Sequence, residues 1–175
     1  MKTSARILIV LLASAYFWHC AATYTQWHFI DSVDLIFHEA GHTIFFFLGT
    51  FLNIAAGSGF QIALPLGIAL YFFATQQKFS GALCLLWVGQ SILNVSVYAA
   101  DAKLMQLELL GGDGVIHDWN YLLSTLGLLK YTSSIAAIIH GTGIITILTG
   151  TFLAAVYTYQ DNAHNPLPDS ESLPA

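Results

Sequence analysis

Charge is what this sequence has least of. Only 9% of its 175 residues are Asp, Glu, Lys or Arg, against about 25% in a soluble globular domain. A chain so poor in charge does not cover a water-facing surface, which excludes an ordinary cytosolic enzyme. Basic residues are scarcest, with Lys and Arg together numbering five. No basic patch exists, and nucleic acid is excluded as a partner. Cysteine is nearly absent too. Cys20 and Cys84 are the only two, lie in separate apolar segments, and form no CxxC. That spacing gives neither a thiolate metal site nor an argument for a disulfide.

Apolar residues fill the space that charge leaves. Hydrophobic residues make up 56% of the chain, and mean hydropathy is +0.66. Disorder is excluded, and an integral, multi-pass membrane protein remains, with the lipid bilayer as its surroundings. Five apolar segments are legible: about 5–23, 31–56, 60–75, 79–100 and 133–159. The expected fold is all-α, a polytopic membrane helix bundle. Residues 1–160 form a single transmembrane domain, followed by a polar, mobile tail over 161–175. A helical span takes roughly 20 residues. The third segment is short by that measure, contains Pro65 and comes after Gly57-Ser58-Gly59. It reads as a short span or a re-entrant element, with residues 57–61 offering an unpaired edge to which a peptide strand could add.

Lys2 and Arg6 precede an apolar run from Ile7 to Cys20, with Ala21-Ala22 placed as the cleavage site of a signal peptide would be. Its aromatic end, Tyr16-Phe17-Trp18, favours an uncleaved span instead. With five crossings and a cytoplasmic N-terminus, Lys2, Arg6, Lys103 and Lys130 fall inside and only Lys78 outside. This orientation places the acidic tail outside.

The chemistry concentrates in Phe37-His38-Glu39-Ala40-Gly41-His42, an HExxH motif within the second apolar segment. On a helix, residues i and i+4 share a face one turn apart. His38 and His42 can therefore reach one zinc ion at about 2.0–2.1 Å. Glu39, beside the first histidine, is placed as general base and then general acid for a zinc-activated water. Three ionisable residues inside an apolar helix are costly, each by a few kcal/mol on insertion scales. One metal and one water satisfy all three together.

The motif in its membrane setting resembles the site-2-protease-like membrane zinc metallopeptidases, over about residues 31–130. The resemblance implies zinc as cofactor, a membrane-protein or peptide substrate cut within or near the bilayer, and a third ligand, an Asp, at a later helix start. Gly112-Asp113-Gly114 and His117-Asp118-Trp119-Asn120 lie 75–80 residues after His38. Asp113 matches the family's Asp-Gly dipeptide but is flanked by glycines. The Asn and Pro that usually precede the family's Asp are missing. His117 and Asp118 stand where a helical pattern begins, with Leu122, Leu126 and Leu129 on one face. Either is a candidate third ligand, the other then orienting a ligand from behind. Asp118 alternatively caps the helix.

Full crossings by segments two to four would carry this region to the opposite side from His38. Three arrangements avoid that: a third segment that does not cross, a 104–116 insertion that dips back, or a ligand from segment four. Gln90, Asn94 and Asp101 form a polar stripe on segment four that should face the bundle interior, with Asn94 in an interhelical hydrogen bond. His140, beside Gly141 and Gly143, reads as a buried hydrogen-bonded histidine. Tyr24, Trp27, His19 and His28 read as an interfacial belt. Two functions are compatible with the motif. The first is a membrane-embedded zinc peptidase. The second is a non-catalytic membrane protein that binds or transports metal through the same histidines, for which Glu39 has no required role.

Overall fold

A computed structural model describes residues 3–110 and 115–164, with side chains over 4–110 and 115–160. Six α-helices and no strand occur among them: α1 (Thr3–Ala22), α2 (Phe29–Ile44), α3 (Thr50–Ala74), α4 (Lys78–Asp101), α5 (Asp118–Thr125) and α6 (Thr132–His164). Four of these regions are long and apolar enough to cross a membrane: Ser4–Ala22, Thr50–Ala74, Lys78–Asp101 and Leu129–Gln160. This is compatible with an integral membrane protein. Large apolar side chains such as Leu11, Leu12, Ile138, Ile145 and Phe152 stay exposed on the outer faces, where lipid rather than water would suit them.

α4 is the centre of the bundle. It packs antiparallel to α6, and the close approach depends on small residues. A Cβ on Gly89 would lie 2.5 Å from Ile147 Cγ1, and one on Gly143 would lie 2.8 Å from Leu93. Ala21, Leu86, Leu93 and Ile147 form the buried core. α1 runs alongside, with Arg6 over the Phe79 ring and Trp18 Nε1 donating to Thr151 Oγ1 at 3.2 Å. The His140 ring packs edge-on against Tyr24, with ring centroids 4.5 Å apart. The C-terminal ends of α1 and α4 and the N-terminal end of α6 therefore share one end of the bundle.

The second apolar segment does not form one span. It breaks after Ile44, passes through a 3-10 turn at Phe46–Leu48, and turns at Gly49, whose φ of 83° suits glycine. The rest of that segment belongs to α3, which runs unbroken through Gly57-Ser58-Gly59 and Pro65. Residues 57–61 are thus helical, and the expected strand edge is not there. Pro65 lacks an N–H and leaves the Gln61 carbonyl without its helical donor. The Ser91 hydroxyl lies 3.4 Å from that carbonyl, but its single hydrogen goes to Asp34 Oδ1 at 2.8 Å.

α2 spans 16 residues and is not among the helices long enough to cross. It starts at the depth of Tyr16, whose hydroxyl accepts the Ile30 amide at 3.3 Å, and of Gln90 and Asn94, both bonded to Asp31. From there it runs antiparallel to α3 towards the end where α4 finishes. Its far half is fixed by Asn53, which donates to the His42 carbonyl at 2.5 Å. The helix that stays on one side is therefore the second, not the third, and this brings α5 to the same end as His38. Four candidate spans in place of five would put both ends of the described helical region on one side. Among the described residues, Arg6 and Lys78 lie towards one end and Lys103 and Lys130 towards the other, so the expected four-to-one bias is not seen there; Lys2 lies outside the described residues. α6 ends, at His164, on the side where α1 begins.

Candidate metal centre

The HExxH motif lies on α2, and its two histidines project towards α3. A small residue opposite makes room for them. A Cβ on Gly57 would sit 2.5 Å from His42 Nε2 and 2.7 Å from His38 Nε2. The Nδ1 atom of each ring faces an oxygen: His42 at 2.9 Å from the Asn53 carbonyl, and His38 at 3.2 Å from Gln61 Oε1. With Nδ1–H donating in each ring, both Nε2 atoms present a lone pair.

Those two atoms lie 3.1 Å apart. Asp118 Oδ2 completes the triangle, at 2.9 Å from His38 Nε2 and 3.1 Å from His42 Nε2. His38 and Asp118 are buried, and the His42 ring is partly open. Three acceptor lone pairs thus converge in a largely dry place, an arrangement that only protons or a cation can satisfy. Protons do so partly without metal. The hydrogen bond with Asp118 raises the His42 pKa above its ordinary range, against burial. Burial pushes the Asp118 carboxyl up, but the bonds and charges of His38 and His42 outweigh it and hold it below its usual value. The donor set of two imidazoles and a carboxylate suits zinc, and triangle edges of 2.9–3.1 Å are close to the ~3.3 Å between ligands of a tetrahedral ion with bonds of about 2.0 Å. Among the described residues these three are the group that could hold a metal ion.

Asp118 reaches the site because α5 is tied down on three sides. Its backbone amide donates to Tyr98 Oη at 3.0 Å, Trp119 Nε1 donates to Ser58 Oγ at 3.1 Å, and Asn120 Nδ2 donates to the Ala102 carbonyl at 2.8 Å. Leu122 and Leu123 are its buried apolar residues, while Leu126 lies beyond the helix and is 55% exposed. Gly127, with φ of 68°, ends the pattern before Leu129. His117 is placed differently from Asp118. It is the N-cap of α5: its Nδ1 accepts the Asn120 amide at 3.2 Å, and its Nε2 faces Asp101 Oδ2 at 3.2 Å. The capping role weighed for Asp118 thus falls to its neighbour, and His117 is not brought to the two motif histidines. Asp113 lies outside the described residues.

Glu39 is exposed and is not one of the three converging residues. It lines, with His38, His42 and Asp118, a cavity of about 610 Å³. Tyr24, Trp27, Leu107, Leu110, Val115 and Ile116 also line it.

The polar stripe on α4 faces inward. Asn94 does make interhelical bonds, accepting from Gln61 Nε2 at 2.8 Å and donating to Asp31 Oδ1 at 3.0 Å. Gln90 and Ser91 are buried, and Asp101 is turned to His117 and to the amides of Gln106 and Leu107. Sequence reasoning missed Gln61, Gly57, Tyr98 and the two acids of α2, Asp31 and Asp34. Asp34 is fully buried and accepts from Trp87 Nε1 and Ser91 Oγ, each at 2.8 Å. The spacing Asp31, Asp34, His38 put all three near one helix face and was the available signal. Comparison of the chain with models of protein families, with curated proteins and with solved structures finds no match.

Proposed function

We propose that this chain is an integral, multi-pass membrane zinc peptidase that hydrolyses peptide bonds with a metal-activated water. The observation that carries the reading is the triangle of His38 Nε2, His42 Nε2 and Asp118 Oδ2, with Glu39 beside it on an open cavity. Three protein ligands and an accessible side suit a catalytic zinc, which keeps a position free, better than a structural zinc closed by four ligands. This favours the enzyme over a non-catalytic metal-binding or transport protein.

When bound, zinc supplies Lewis acidity and lowers the pKa of a water at the site. His38, His42 and Asp118 would hold it. Glu39 takes the proton of the attacking water and returns it to the leaving amine nitrogen. The cavity admits both that water and an extended stretch of substrate. Its apolar walls suit a segment of a membrane protein or an apolar peptide. With the N-terminus in the cytoplasm, four crossings turn the metal site towards the opposite face of the membrane.

The test is cleavage of a panel of membrane-spanning peptides by wild type and Glu39→Gln. Cleavage by wild type that falls steeply in the variant supports the proposal. Cleavage that persists unchanged excludes the mechanism, and zinc-loaded wild type that cuts none of the panel turns the reading to metal binding alone.

A further inference from the structure

Four buried or half-buried side chains join in line from α2 through α3 and α4 and back to α2. His38 Nδ1 lies 3.2 Å from Gln61 Oε1, Gln61 Nε2 lies 2.8 Å from Asn94 Oδ1, and Asn94 Nδ2 lies 3.0 Å from Asp31 Oδ1. Gln61, Asp31 and His38 are each at most 6% exposed, while Asn94 is half-buried and all four line the cavity. Either amide taken alone could be turned around, because its oxygen and nitrogen have the same shape.

The acidic end removes that freedom. Asp31 is held as an acceptor: Gln90 Nε2 and Asn94 Nδ2 donate to Oδ1, and the His28 amide donates to Oδ2 at 2.6 Å. Oδ1, with two amide donors already on it, faces Asn94 as an acceptor. Asn94 must therefore show it the NH₂ group, which turns the Asn94 oxygen to Gln61. Gln61 must answer with its own NH₂, which turns its oxygen to His38. The His38 ring then has one compatible tautomer, with hydrogen on Nδ1 and the lone pair on Nε2, facing His42 and Asp118.

We infer that Asp31, acting through Asn94 and Gln61, is the positioning residue that sets the tautomer and ring orientation of His38 for metal binding. The inference rests on the proposed metal site of His38, His42 and Asp118. His42 needs no such relay, since the Asn53 backbone carbonyl at its Nδ1 is itself an acceptor only. The two rings are thus oriented by different means, one by backbone and one by a chain of side chains ending on a carboxyl group. Partners that orient a ligating histidine in this way typically carry 10–100-fold in metal affinity.

The experiment measures zinc affinity of the purified full chain by chelator competition, for wild type, Gln61→Met, Asn94→Leu and the double variant. Each single variant should bind zinc roughly 10–100-fold more weakly. Because both break the same relay, the double variant should be no weaker than the weaker single. Gln61→Glu keeps an acceptor at His38 Nδ1 and should bind at least about ten times better than Gln61→Met, by the same range. The cobalt-substituted singles should show altered visible absorption. Losses that multiply in the double variant would mark two independent packing effects and overturn the inference. So would single variants that bind as wild type does, or Gln61→Glu no better than Gln61→Met. Wild-type protein that binds no zinc would instead remove the metal site itself, and the inference with it.

Discussion

Asp118 Oδ2 lies 2.9 Å from His38 Nε2, although 80 positions separate the two residues. That contact divides the roles of two adjacent residues, Asp118 at the metal triangle and His117 at the helix cap. Asp118→Ala should abolish high-affinity zinc binding, whereas His117→Ala should retain zinc and lose about 1 kcal/mol of stability with its cap. Zinc titration and thermal unfolding of both variants check this. Zinc loss in His117→Ala at unchanged stability would reverse the assignment.

Glu39 separates binding from chemistry. Glu39→Gln keeps the shape of the side chain and removes the base. Zinc content should stay at the wild-type level, while cleavage of a substrate that wild type cuts falls roughly 10²–10⁴-fold. Parallel metal analysis and peptide cleavage measure the two separately.

Gly57 is where α3 admits the histidine rings. In Gly57→Ala the new methyl would meet His42 Nε2 and His38 Nε2 at 2.5 and 2.7 Å, so rings or helix must shift and zinc affinity should fall. Gly59→Ala is the control, since nothing lies within 4 Å of a Cβ there. That variant should bind zinc normally and be as stable as wild type or more so, by up to about 1 kcal/mol from helix propensity. Equal zinc affinity in the two variants would show that the close approach at Gly57 is unimportant.

The metal-free site should give stability a bounded pH window. The His42 pKa is raised above 6.5, so its share is full below about that pH and is lost as pH rises through the raised value. The Asp118 pKa is lowered below 3.8, so its share is full above about that pH and is lost as pH falls through the lowered value. Both shares are present between 3.8 and 6.5. Thermal unfolding of chelated protein across pH should show this window, and Asp118→Asn should flatten it. Zinc-loaded protein should instead lose stability as pH falls into this window, because protons compete with the metal for His38 and His42.

The features legible in the sequence are those encoded locally. The i, i+4 spacing of His38 and His42 needs only a helix, and long apolar runs announce the bundle. Asp118 was visible as a candidate because a helical pattern restarts there, but its neighbour His117 was equally eligible, and only the anchoring of α5 by Tyr98, Ser58 and Ala102 separates them. The break after Ile44 was hidden because Phe45-Phe46-Phe47-Leu48 keeps the chain apolar through the turn, leaving Gly49 as the single sign. That hidden turn explains why five apolar segments become four candidate spans, and why residues 57–61 are helix rather than strand edge. Gln61 was invisible for another reason: its role depends on His38 and Asn94 on two other helices, and no spacing within one segment encodes that.

Metal content is the most direct test of the central claim, that His38, His42 and Asp118 hold one zinc ion. Full-length protein purified without chelator should contain about one zinc per chain by elemental analysis, as a site of three protein ligands requires. His42→Ala and Asp118→Ala, prepared identically and retaining wild-type helicity, should be nearly free of it. Wild-type protein without zinc, or His42→Ala with as much zinc as wild type, would contradict the account.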